Sequence, residues 1–243
     1  MSGERNSSRT RVCPAFTKLK NQIKDFIEWL NETQQCAIPT GNVDWDKAYV
    51  RFADKDGKGE IALPPCASLL KWMVDNFGTD MLRKECGKSV SNATRELRAK
   101  LLRHDPDTVF SAYDLINMGR RRGWFALEGY SRPDVYIETN KFILVVEGKR
   151  TEKTLTDSTT FFIKGRDQLI RHMDSALNVA GNKIVFGIII YEEGAQYRPV
   201  LDMNLLNSSL PHRSAKEREM IKSHYLNPIT WQDIGNKFGI CYS

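Results

Sequence analysis

Two carboxylates and an amine near the middle of the chain have the residue types and spacing to carry out chemistry together. Asp134 follows Pro133, and after a span of twelve residues the sequence continues with Glu147, Gly148 and Lys149. Converging carboxylates suit a hard divalent cation such as Mg²⁺ or Mn²⁺, and the Gly148 carbonyl could add a third oxygen ligand. Such an ion can polarise a phosphodiester and lower the pKa of a bound water. Lys149 could orient or deprotonate that water, or neutralise charge that develops on the phosphate.

The segments that carry these residues, 133–138 and 141–149, predict the two strands of a β-hairpin. Both segments are rich in β-branched and aromatic residues, and the dipeptide Thr139-Asn140 between them suits a two-residue turn. A turn at that dipeptide sets Asp134 opposite Val145 on the neighbouring strand.

The alternation of side chains along a strand then decides which residues share a face of the hairpin. Asp134, Glu147 and Lys149 are predicted to lie on one face, within reach of a shared ion. The opposite face is apolar throughout and is predicted to be the core face; it comprises Val135, Ile137, Phe142, Leu144 and Val146. An ordinary hairpin with charged surface residues is the alternative to a catalytic site.

Pro133-Asp134 followed by Glu147-Gly148-Lys149 resembles the signature of the PD-(D/E)XK nuclease superfamily, which includes restriction endonucleases, resolvases and exonuclease domains. The resemblance covers roughly 100 residues, an ordinary domain size. It implies an α/β fold with a mixed central sheet flanked by helices, in the order α-β-β-β-α-β, and a helical N-terminal extension. It also implies that Asp134 and Glu147 bind Mg²⁺ or Mn²⁺ and that Lys149 assists hydrolysis of DNA, with endonuclease action expected.

The remaining elements of that order can be assigned along the sequence. The segment 124–127 is predicted to be the first strand, and 165–180 a helix with an apolar stripe. The apolar run 183–191 predicts a central strand covered on both faces. A helix before that strand allows it to pair in parallel with the lysine strand through a right-handed crossover. The segment 43–52 is predicted to be a short helix.

These elements predict three regions along the chain. Residues 1–105 are expected to be a helical N-terminal accessory region that begins with an unstructured leader over residues 1–13. Residues 106–212 are expected to be the nuclease-like core, and residues 213–243 a helical tail packed on it.

Family members usually carry another acid on the helix before the first strand, and Glu96 is the first candidate for it here, with Asp114 the second. Gln168 and His172 lie four residues apart on the predicted helix 165–180. In exonuclease-like members a Gln and a Tyr at this spacing support the site, and here His replaces Tyr. Plain surface roles are the alternative for all four residues.

The charge of the chain fits a polyanionic partner. The formal net charge is +6 and the pI is about 9.0. Arg120, Arg121 and Arg122 form a basic loop beside the predicted site and, with Arg150, are expected to contact the DNA backbone. A solvated charged turn is the alternative for the loop. DNA is preferred over RNA only through the family resemblance, and the sequence leaves a homodimer open.

The sequence also predicts the environment of the protein. No apolar run is long enough to span a bilayer, so no membrane association is expected. The five cysteines are odd in number and form no C-x-x-C pair. They predict reduced thiols in a cytoplasmic, intracellular protein.

Two other functions use the same residues differently. The fold could be a nucleic-acid-binding module that does not cut its ligand, or a nuclease effector whose N-terminal helices dock an activating partner. Metal-dependent turnover separates the binding module from the enzyme.

Overall fold

Five β-strands form one open sheet in the computed structural model, which describes residues 7–34, 37–54, 58–76, 78, 91–119, 127–150, 166–194 and 201–242. In sheet order the strands are β1 (Tyr49–Phe52), β2 (Val135–Glu138), β3 (Phe142–Gly148), β4 (Ile184–Tyr191) and β5 (Ile229–Thr230). The first two pairings are antiparallel and the last two are parallel, so the sheet is mixed.

Helices account for most of the remaining described chain. They are α1 (Cys13–Leu19), α2 (Ile23–Gln34), α3 (Ala67–Asp75), α4 (Asn92–Leu102), α5 (Pro106–Asn117), α6 (Gln168–Leu177), α7 (Met203–Ser209), α8 (Ala215–Ser223) and α9 (Trp231–Phe238). A π-helical turn, Ser8–Val12, leads directly into α1, and a 3₁₀ turn spans Trp45–Lys47.

Several helices begin at side chains that accept a hydrogen bond from a backbone amide of the first turn, which satisfies a donor the helix itself leaves unpaired. Ser91 caps α4 and Asp105 caps α5. Asp167 caps α6, which carries Gln168 and His172.

The helix α6 connects β3 to β4, and these two strands pair in parallel. Parallel neighbours need a crossover connection of this kind. The predictions of a helix within 165–180 and of a buried strand within 183–191 are both confirmed.

Apolar side chains cover both faces of the sheet. The predicted core face is confirmed, and its five apolar residues pack with α1, α2 and α9. The opposite face is also covered, by α6 and α7, which pack on Tyr136, Ile143 and Val145. The face that carries Asp134 and Glu147 is therefore an interior face, whereas the sequence assigned the core to the other face alone.

The hairpin is confirmed, but its predicted register is wrong by two residues. Val135 pairs with Val146 and Glu138 with Ile143. The hydroxyl of Thr139 accepts hydrogen bonds from the backbone amides of Lys141 and of Phe142, the first residue of the returning strand, at 3.2 and 3.1 Å. This local bonding moves the turn one residue along the chain. The shift is even in number, so every side chain keeps its predicted face.

The predicted helix over 43–52 is wrong, because Trp45–Lys47 forms only a 3₁₀ turn and Tyr49–Phe52 is strand β1, which pairs antiparallel with β2. Alternating β-branched and aromatic residues favour a strand where a neighbour is available to pair. The N-terminal region thus contributes a strand to the sheet as well as helices. The predicted leader is also partly wrong, because Val12 is fully buried in the helical turn before α1.

The predicted first strand, 124–127, lies outside the described residues except for Leu127, which belongs to no strand. A third apolar cluster unites α3, α4 and α5, which come between β1 and β2 in the sequence. The predicted boundaries at residues 105 and 212 stay predictions.

Candidate active site

Val135 pairs with Val146 in the hairpin. The same register, extended by one residue, places Asp134 opposite Glu147 on the neighbouring strand. Asp134 Oδ2 accepts a hydrogen bond from the Gly148 amide at 2.8 Å. Both carboxylates are buried, with 8% of Asp134 and 3% of Glu147 exposed. The sequence prediction that these residues share a face is therefore confirmed.

Lys149 lies between Glu147 and the first residue of α6. Its Nζ donates to Glu147 Oε1 at 2.7 Å and to Gln168 Oε1 at 2.9 Å. Its backbone is also fixed, because the carbonyl accepts from Trp231 Nε1 at 3.0 Å. The ammonium is thus held in a defined place beside the two carboxylates. Of the predicted auxiliary residues, Gln168 is in direct contact with the candidate catalytic lysine.

His172 also reaches the site, one turn further along α6. Its Nε2 lies 2.9 Å from Glu147 Oε2, and its Nδ1 is in hydrogen-bond contact with the hydroxyl of Ser131. Burial and the neighbouring charge of Arg171 lower the pKa of His172 to about 3. The imidazole is therefore neutral near pH 7.

The site gathers more negative charge than the sequence indicated. Burial and the charge of Glu147 raise the pKa of Asp134 to about 7. Glu60, half-buried in the segment between β1 and α3, has its pKa raised to about 7 by burial and by the charge of Asp134. Glu60 is brought close because Leu63 pairs with Ser131 and the Ala53 amide donates to the Asp134 carbonyl.

A fourth carboxylate, Asp167, sits at the start of α6. Its Oδ1 accepts from the Ile170 amide at 2.8 Å, and burial raises its pKa, with a further contribution from the charge of Glu147. Only 2% of Asp167 is exposed, and its Oδ2 has no hydrogen-bond partner among the described residues. No feature of the sequence marks Asp167 as a site residue, although aspartate is a favoured residue at a helix N-cap.

These carboxylates offer the type of ligand atom that a hard divalent cation prefers. Oxygen ligands from Asp134, Glu147 and Glu60 are of the type that Mg²⁺ and Mn²⁺ prefer. The raised pKa values of Asp134 and Glu60 mean that crowded acids hold protons near neutral pH. A cation among them would take the place of those protons and relieve the repulsion.

Cys66, Asp174 and His212 form a second group of possible metal ligands among the described residues. Their ligand atoms lie within 4.8 Å of one another. However, Asp174 already accepts from Arg166 at 2.6 Å and from Arg213 at 2.9 Å. Burial alone would raise the pKa of Asp174, but the hydrogen bond from His212 and the two guanidinium charges hold it well below its usual value. The negative charge is thus neutralised, and the cluster ties α3 to α6.

The other predicted site residues are placed elsewhere or lie outside the described residues. Glu96 and Asp114 are exposed on α4 and α5, and neither is among the main charges that shift the pKa of Asp134. The basic loop of Arg120, Arg121 and Arg122 lies outside the described residues. Arg150 is half-buried and donates to the hydroxyl of Thr10 at 3.2 Å.

The turn before α1 covers one side of the site. Ser8 Oγ donates to Asp134 Oδ1 at 3.1 Å, and Arg11 pairs with Glu192 at 2.8 Å. This cover was missed in the sequence because the polar, basic segment lacks an apolar pattern of its own. It leaves the candidate catalytic group largely closed to a macromolecule in this conformation.

Among the residues described, no helix has the length and apolar character to cross a bilayer. Compared with protein-family models, curated proteins and solved structures, the chain gives no match.

Proposed function

We propose that this protein is a metal-dependent nuclease that hydrolyses phosphodiester bonds in DNA, with endonuclease action expected. The observation that carries the proposal is the contact of Lys149 Nζ with Glu147 Oε1 at 2.7 Å, beside Asp134 at the end of two paired strands. Two acids can hold a metal ion, and a neighbouring lysine can orient a water or stabilise charge, so this arrangement suits metal-assisted hydrolysis.

The order of elements around the site supports a restriction-endonuclease-like core. The strands β2 and β3 form the hairpin, α6 crosses over, and β4 pairs in parallel with β3. The strand β1 precedes β2 in the sheet and would take the place of the first core strand. The proposed core, 106–212, would therefore share its sheet with part of the N-terminal region.

Asp134 and Glu147, with the Gly148 carbonyl and Glu60, are the groups that would bind Mg²⁺ or Mn²⁺. When bound, such a cation would polarise the phosphodiester and lower the pKa of a bound water. The protein contributes the placement of these oxygens on two paired strands, which fixes their spacing. The positive charge of Arg150 at the edge of the site would attract a phosphate of the DNA backbone.

Lys149 would act on the attacking water or on the phosphate. Its ammonium is held by Glu147 and Gln168, so it is already oriented before a substrate arrives. A fixed donor costs no reorganisation at the moment of reaction and stabilises charge on a phosphate oxygen. Gln168 would keep the ammonium in place when Glu147 engages a cation.

Cleavage assays test the proposal directly. Closed circular, linear double-stranded and single-stranded DNA would be incubated with the protein in Mg²⁺, in Mn²⁺ or in EDTA. Metal-dependent cutting is expected, and Glu147→Gln or Lys149→Met should reduce its rate at least about a hundredfold. Cutting of closed circles would establish endonuclease action.

The matched control is Glu193→Gln, because Glu193 is an exposed acid just beyond β4. It should cut DNA at the wild-type rate. Folded wild-type protein that cuts nothing, or cutting that survives Glu147→Gln, would reject the proposal.

The closed state of the site favours one second candidate, a nuclease that a partner activates. Ser8 occupies an oxygen of Asp134, and 9% or less of each of Asp134, Glu147 and Lys149 is exposed. A partner that displaces the turn Ser8–Val12 would open the site. Cleavage by Ser8→Ala that exceeds wild-type cleavage would support this candidate over constitutive activity.

A further inference from the structure

A buried chain of hydrogen bonds reaches Glu147 from the side opposite Lys149. Ser131 Oγ contacts His172 Nδ1, and His172 Nε2 lies 2.9 Å from Glu147 Oε2. Of these side chains, Ser131 is fully buried, and 1% of His172 and 3% of Glu147 are exposed. The three groups come from a loop, a helix and a strand that converge only in the folded chain.

The backbone of Ser131 is itself fixed in place. Its amide donates to the Leu63 carbonyl and its carbonyl accepts from the Leu63 amide, both at 2.8 Å. The chain of hydrogen bonds therefore starts from an anchored point and ends on the candidate metal ligand.

The donors and acceptors along this chain can be assigned. The Glu147 carboxylate can only accept, so His172 Nε2 is the donor in that contact. The Ser131 hydroxyl can donate or accept, so it can pair with Nδ1 of the ring. Ser131 thus holds the imidazole in the orientation that points the Nε2–H at Glu147.

We propose that Ser131 is a positioning residue that acts through His172 to hold Oε2 of Glu147 in the orientation that binds a divalent cation. This inference rests on the proposed function. Lys149 holds Oε1 at 2.7 Å, so the two oxygens of Glu147 are fixed by different elements. Without the hydroxyl, Nδ1 loses its hydrogen-bond partner, and the imidazole ring can rotate and release Oε2.

Mn²⁺ binding to the metal-free full-length protein measures this role without relying on activity. Isothermal titration calorimetry would compare the wild type with Ser131→Ala and with Ser175→Ala. Ser175 is the matched control, because it is also buried, with 2% exposed, and lies on α6 outside the chain of hydrogen bonds. Ser131→Ala should bind Mn²⁺ about 10- to 100-fold more weakly, as loss of such a supporting group typically does. Ser175→Ala should bind like the wild type.

A second pair of variants keeps the test independent of the serine. His172→Gln retains an N–H donor toward Glu147, whereas His172→Leu removes it. His172→Gln should therefore bind Mn²⁺ more tightly than His172→Leu does, although both variants lack the imidazole. A role in packing alone predicts equal loss in the two variants.

The outcomes distinguish this inference from the proposed function. If the wild type binds Mn²⁺ and Ser131→Ala binds it within twofold, the positioning role is rejected and the metal site stands. Equal weakening by Ser131→Ala and Ser175→Ala also rejects it. If the folded wild type binds no Mn²⁺, the metal site itself fails and the positioning role fails with it.

Discussion

Replacing Asp134 with asparagine should stabilise the metal-free protein at pH 8 and remove its stabilisation by Mn²⁺. Asp134 accepts a hydrogen bond from the Gly148 amide at 2.8 Å. The side-chain oxygen of asparagine can accept the same hydrogen bond. The substitution removes the negative charge that lies beside Glu147 and Glu60. The variant therefore measures the cost of a negative charge that is buried and lies beside another negative charge.

The pKa of Asp134 gives the sign and the size of that cost. In the folded protein the pKa of Asp134 is raised to about 7, whereas the usual value is 3.8. Ionisation therefore disfavours the folded state, with no cost below pH 3.8, a rising cost between the two values and a constant cost above pH 7. Each tenfold change in proton affinity is worth about 1.4 kcal/mol, so the cost reaches about 4 kcal/mol at pH 8. At pH 5 it is about 2 kcal/mol.

Urea unfolding in EDTA at pH 5 and pH 8 measures this difference. The asparagine side chain will form less favourable hydrogen bonds than the carboxyl group, so the free energy of unfolding of Asp134→Asn should exceed that of the wild type by about 1–3 kcal/mol at pH 8. This difference between variant and wild type should fall by about 2–3 kcal/mol at pH 5. Asp46→Asn, at an exposed acid, is the matched control and should show no such trend. A variant that is destabilised by equal amounts at both pH values would refute the reasoning.

Three further substitutions test other parts of the structure. Gly148→Ala should destabilise the protein by about 1–3 kcal/mol in urea unfolding, because the added Cβ would lie 2.8 Å from the Trp231 ring and 3.0 Å from Val12; wild-type stability would mean that the ring can move. Asp174→Asn should cost about 3–5 kcal/mol at pH 7, because it removes the carboxylate charge that pairs with the buried guanidinium of Arg166 and the partly buried guanidinium of Arg213. Since the pKa of Asp174 is lowered, that contribution should disappear only as pH falls well below 4, and a loss already complete at pH 5 would contradict it. Glu60→Gln should weaken Mn²⁺ binding in calorimetry with the fold intact by circular dichroism, and unchanged affinity would exclude Glu60 from the site.

The hairpin and the shared face of its acids could be predicted because both depend on local sequence. Alternation at a period of two survives an even error in register, so Asp134 and Glu147 stayed together when the turn moved. The register itself depended on the hydroxyl of Thr139, whose preference for bonding backbone amides competes with a simple two-residue turn.

The rest of the candidate site depends on contacts between residues far apart in the chain. Glu60 joins the other acids only because its segment lies beside Ser131 in the folded chain. Ser131 gave no signal in the sequence, since a lone serine before a proline-aspartate pair suggests a loop. His172 was one of two polar residues on a helix face, and its contact with Glu147 required the packing of α6 on the sheet. The sequence therefore predicted the grouping of Asp134 and Glu147 and the candidates Gln168 and His172, but not Glu60, Asp167 or Ser131.

The pairing of β1 with β2 also has a consequence for the order in which the chain folds. Phe52 and Val135 are adjacent in the sheet but more than eighty residues apart in sequence, with α3, α4 and α5 between them. Contacts this distant carry a large loop-closure cost and form late, whereas a hairpin closes quickly. On a ribosome, β1 is synthesised long before its partner strand exists. We expect the hairpin to form first and Glu60 to arrive with β1, so that the full repulsion among the acids is met only when most of the core can oppose it.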